Sequence, residues 1–176
     1  GQQGLQVALA LGEDDVRRYW YLALLAPEQL PADTPAAAAR SLSALYQCDS
    51  RHPALPAAVR RLADAQPQGF LWFLDYYRGA LAVWFDREQD AVLLLGWLQR
   101  YEDLERAVFL RALQTAYDLR AAELLLRLPP AAITDEDRHH LHRYYVHTPE
   151  LLRALAQRAP ERAAAWQRLA PPPPAD

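Results

Sequence analysis

Alanine and leucine supply 64 of the 176 residues, whereas valine and isoleucine together supply eight. Unbranched helix formers are therefore abundant, and the β-branched residues that suit a pleated sheet are scarce. This ratio constrains the fold more than any motif does. It points to an all-α chain without a β-sheet. Length and 52% apolar content suit one domain with its own buried core.

Prolines and capping residues divide the chain into helices. Acids at Glu13, Asp14 and Asp15 open a helix that Pro27 stops. Thr34-Pro35 places a cap before proline at the first helical position, and that helix should run to about Gln47. Pro56 opens a short helix to about Ala65, and Gln68-Gly69 precedes a long one ending near Phe85. Further helices are expected over 87–100, 104–117 and 119–128, the last ended by Pro129-Pro130. Thr134, Thr148-Pro149 and Pro160 mark three more starts, while residues 5–11 read equally as a helix or an arm. The expected architecture is about nine short antiparallel helices, stacked as hairpins or packed as an irregular bundle. The helices from Phe70 and from Val92 are apolar on nearly every side and should be central. Gly79 and Gly96 are expected to let helices approach closely.

Residues 1–4 read as a junction or linker, 5–170 as the helical domain, and 171–176 as a proline-rich linker stub. A domain of a larger protein, from a GC-rich bacterial genome, fits that organisation and the Arg-for-Lys, Leu-for-Ile bias. No apolar stretch is long and uncharged enough to span a bilayer. The compartment is not legible in the sequence, with the cytoplasm favoured.

Several chemistries are absent. The chain contains no lysine, which removes Schiff-base catalysis and the Gly-Lys-Ser/Thr phosphate loop. A single cysteine excludes an internal disulfide and a multi-cysteine zinc site. Nineteen arginines stand against 22 acids, giving a net charge of −3, and the arginines are dispersed. Nucleic acid is therefore not an expected partner. No cofactor is expected.

Two clusters invite a chemical reading. Glu136, His139, His140 and His142 have helical spacing that could present a carboxylate and imidazoles to a divalent metal. The plainer reading is a solvated helix with acids in its first turn, because no second ligand-rich helix is legible. Cys48 and His52 lie close in sequence, but no further member of a catalytic group accompanies them.

The aromatic residues are more suggestive. Tyr19-Trp20-Tyr21 is a run of three rings, so at least one must face outward from its helix, and Tyr144-Tyr145 repeats the problem. Exposed aromatic rings beside arginine are favoured at interfaces. Arg17, Arg18, Tyr19 and Tyr21, with Arg143, Tyr144 and Tyr145, are the candidate partner-binding residues. The expected function is protein–protein interaction without enzymatic activity, as in a scaffold or adaptor. The alternative is a helical enzyme or a small-ligand or metal-binding domain using residues 135–147. The oligomeric state is not legible.

Overall fold

The computed structural model describes residues 2–117 together with residues 121, 124 and 127. Among the described residues the fold is all-helical, with eight α-helices, one 3-10 turn and no strand. The chain forms two compact units, Gly1–Ala80 and Leu81–Asp176.

The first unit contains α1 (Gln2–Ala10), α2 (Val16–Leu25), a 3-10 turn (Pro27–Gln29), α3 (Pro35–Gln47), α4 (Leu55–Ala65) and α5 (Pro67–Tyr76). The ambiguous opening segment is thus helical. The predicted caps operate. The Asp15 carboxylate accepts the Arg17 backbone N–H and starts α2. Thr34 Oγ1 accepts the Ala37 N–H at 3.1 Å, with Pro35 at the first helical position of α3. Gln66 ends α4 and begins α5, and its side-chain amide donates to the Ala32 carbonyl.

Side chains on later elements satisfy backbone carbonyls left open between the helices. Ser41 Oγ donates to Pro31 O, Ser50 Oγ to Ala23 O, and Arg61 to both Pro27 O and Leu30 O. The core beneath them holds Leu22, Leu42, Leu45, Leu62, Phe70, Phe73 and Leu74. The most extensive helix packing in this unit is between α3 and α5.

The long helix expected to end near Phe85 is broken. It stops at Tyr76, and α6 (Ala80–Trp84) begins after a turn. The Tyr77 backbone leaves helical geometry, and its ring lies 4.9 Å from Tyr46 and 5.3 Å from Phe73. Its hydroxyl accepts from the Gln47 amide. Anchoring this ring on α3, next to Arg78-Gly79, competes with another helical turn. Nor is α5 surrounded: Phe70, Leu71, Phe73 and Leu74 are buried, while Trp72 and Tyr76 are exposed.

The second unit contains α6, α7 (Asp90–Arg100) and α8 (Asp103–Tyr117). The α7 helix starts three residues later than expected. Asp90 holds its start, because the buried Asp90 carboxylate accepts the Arg87 N–H at 3.2 Å. Phe85, Trp97, Tyr101 and Phe109 form a chain of tilted and edge-on ring contacts. The Tyr117 hydroxyl lies between the carbonyl oxygens of Leu81 and Phe85 and shares its single proton between them. This ties the end of α8 to α6.

Two glycine expectations are corrected. A β-carbon at Gly79 or Gly96 would meet nothing within 4 Å, so neither marks a close approach. Gly69 does: a β-carbon there would collide with the Pro35 carbonyl oxygen. The helices expected after residue 117 lie outside the described residues, except for Ala121, Leu124 and Arg127.

Gln114 on α8 is 3% exposed, yet among the described residues neither its amide nitrogen nor its amide oxygen has a hydrogen-bond partner. Burying an unpaired amide costs about 1–3 kcal/mol. Gln114→Leu, close in volume and without polar atoms, is expected to raise stability by about 1 kcal/mol. Urea denaturation checks this, and a lowered midpoint would show that the amide is satisfied.

Candidate functional site: the α2–α3 cleft

In α2 the residues facing the core are Tyr19, Leu22 and Ala23, at helical spacing. That register forces the residues at the intervening four-residue spacing outward. Val16, Trp20 and Leu24 form a ridge, 57%, 43% and 48% exposed respectively. Tyr21 is also exposed beside the ridge.

The ridge borders a cleft of about 340 Å³ between α2 and α3. Val16, Tyr19 and Trp20 line one side, and Ala39, Ser43 and Gln47 line the other. A second cleft of about 420 Å³ adjoins it, lined by Glu13, Arg18, Asp33 and Thr34 among others. Asp14, Tyr19 and Arg40 belong to both, and the Asp14–Arg40 ion pair at 3.5 Å stands at their shared wall. Both groups are solvated, so this pair contributes little to stability.

The structure separates the candidates on α2. Arg17 is bound to Asp15, with Nε and Nη2 donating to the carboxylate at 3.1 and 2.8 Å. Hydrogen bonding from Arg17 holds the Asp15 carboxyl below its usual range. The bonds made by ionised Asp15 are therefore present above the ordinary carboxylate range and are lost as pH falls through the lowered value. Arg18 lines the adjoining cleft and donates to Leu11 O. Tyr19 is a core ring, 5% exposed, whose edge reaches both clefts. Tyr21 faces solvent. Arg143, Tyr144 and Tyr145 lie outside the described residues, as do Glu136, His139, His140 and His142.

Sequence reasoning recognised that at least one ring of the aromatic run must face outward and selected Tyr21, which is exposed, but not Trp20, which is exposed too. It also missed Val16, Leu24, Arg40, Ser43 and Gln47. The signal available was register. Once Tyr19, Leu22 and Ala23 are assigned to the core, Val16, Trp20 and Leu24 follow at the excluded face. The α3 residues carry no comparable signal, since only packing brings them opposite Trp20.

Cys48 and His52 do not form a nucleophile–base pair. Partial burial pushes the Cys48 thiol above its usual pKa, which disfavours the thiolate. His52 Nδ1 accepts the Ala54 backbone N–H at 3.1 Å, so that nitrogen is committed to the turn. Among the described residues no group of three potential ligands is placed to hold a metal ion. Among them, too, no helix is long and apolar enough to cross a membrane.

Comparison with known proteins finds no matching family, no matching curated protein and no matching solved structure. The cleft is therefore interpreted from its own geometry.

Proposed function

We propose that this chain is a non-enzymatic helical interaction domain, a scaffold or adaptor part of a larger bacterial protein working in the cytoplasm. The observation that carries the reading is the exposed Val16–Trp20–Leu24 ridge beside an open cleft. An aromatic residue flanked by aliphatic ones, half-covered and next to a groove, is the anchor type that dominates protein interfaces. The ridge itself is uncharged and the chain carries a net charge of −3, which favours a protein partner over a nucleic acid. Arg17, on the same helix as the ridge, is paired with Asp15, and Arg40 in the cleft is paired with Asp14.

A photo-crosslinking residue placed at Trp20, in cells that express the parent protein, tests this reading. The expected result is a discrete crosslinked protein species that is absent when the same residue replaces the exposed Leu104. Equal crosslinking from both positions, or none from Trp20, would overturn it.

A further inference from the structure

We propose that the occupant of the α2–α3 cleft is a proline-rich segment in polyproline II conformation with a basic residue at one end. This rests on the interaction reading above and names the partner's chemistry. Three observations combine.

The first is aromatic surface in and beside the cleft. Gln47, which lines the cleft opposite Trp20, donates its amide N–H to the Tyr77 hydroxyl at 2.5 Å. Tyr77 in turn meets Tyr46 and Tyr76, each at 4.9 Å. Tyr76 is 81% exposed. The cleft thus holds an indole in its own lining and is joined through Gln47 to a tyrosine cluster outside that lining, and proline rings stack well on aromatic surfaces.

The second is a supply of neutral donors. Among the described residues, the Trp20 indole N–H and the Ser43 hydroxyl make no hydrogen bond, and Gln47 uses one of its two amide protons. A polyproline II helix forms no internal hydrogen bonds, so its carbonyls seek such donors. An α-helical ligand satisfies its own carbonyls and would leave these donors buried without partners. The far wall of the cleft, with Ala39, Ser43 and Gln47, also lacks the apolar width that an amphipathic helix requires.

The third is charge. The adjoining cleft brings Glu13 and Asp33 together with Asp14. Of the two arginines in the same lining, Arg40 pairs with Asp14 and Arg18 donates to the Leu11 carbonyl, whereas Glu13 and Asp33 have no ion-pair partner among the described residues, so the acids outnumber the arginines three to two. A basic residue at the end of the bound segment would complement them. The chain's own residues 168–174, Arg-Leu-Ala-Pro-Pro-Pro-Pro, carry this chemistry and supply the probe.

The test is calorimetric titration of the full chain, with its four terminal prolines 171–174 changed to serine, against the synthetic peptide Arg-Leu-Ala-Pro-Pro-Pro-Pro. Saturable one-to-one binding is expected. Trp20→Ala should weaken it at least about tenfold, and Ser43→Ala less so. Changing the peptide's arginine to glutamate should weaken binding several-fold, and raising salt should weaken binding of the arginine peptide. Circular dichroism confirms that the Trp20→Ala chain stays folded, as its exposed position predicts. Absence of binding, or equal binding of a peptide with its prolines changed to alanine, would overturn the proposal. If crosslinking from Trp20 still captured a discrete protein in that case, the interaction reading would stand and only the proline-rich occupant would fall.

Discussion

Gly69→Ala is expected to destabilise the first unit by about 1–2 kcal/mol net, although alanine is the better helix former. Gly69 lies in the first turn of α5, where α5 meets the start of α3. A β-carbon there would strike the Pro35 carbonyl oxygen and come within 3.1 Å of both the carbonyl carbon and Cα of Pro35. All three are backbone atoms at the start of a helix, so no side-chain rotation relieves the contact. The helices must separate where their packing is most extensive. Overpacking of this kind costs about 1–3 kcal/mol or more, and exceeds a helix-propensity gain of at most about 1 kcal/mol. Gly96→Ala is the control. It lies inside α7 with open space around a β-carbon, and should stabilise the chain by about 0.5–1 kcal/mol. Urea midpoints of the two variants should move in opposite directions. An unchanged or raised midpoint for Gly69→Ala would show that α3 and α5 are not in this contact.

Phe109→Ala is expected to cost about 3–5 kcal/mol and to remove the fixed environment of Trp97. The Phe109 ring is completely buried. It meets Trp97 edge-on at 6.5 Å between centroids and Tyr101 at 5.4 Å, while Trp97 meets Phe85 at 5.3 Å. Truncation thus leaves a cavity and interrupts a ring chain that links α7 and α8 with the segment following α6. Such a loss is a large part of the total stability of an ordinary domain. Phe109→Leu keeps most of the volume and should cost about 1 kcal/mol. Thermal unfolding with near-ultraviolet circular dichroism reads both effects. Retention of the native tryptophan signal in Phe109→Ala would mean that the ring chain is not a packing unit.

Local signals explain why the helices were legible. A cap or a first-turn proline acts within a few residues, so Asp15, Thr34-Pro35 and Pro56 mark the starts of α2, α3 and α4 closely. The misread stretch failed for a non-local reason. Residues 70–85 have helical periodicity throughout, and nothing nearby in sequence indicates that the Tyr77 ring will be held by Tyr46, Phe73 and Gln47. The glycines show the same limit. Gly69, Gly79 and Gly96 carry the same propensity, yet only Gly69 faces another helix at contact distance.

The candidate site divides the same way. Composition and periodicity determine that this chain is helical, that α2 carries three consecutive rings, and that at least one ring must leave the core. These follow from 3.6 residues per turn and from the scarcity of β-branched side chains. Which rings leave is a tertiary outcome: Tyr19 turns inward with Leu22 and Ala23, Tyr21 faces solvent, and Trp20 is left at the cleft. The polar wall opposite, with Arg40, Ser43 and Gln47, exists only because α3 packs against α2. Sequence patterns report how a segment relates to its own axis. Which other segment it faces depends on burial summed over the whole unit.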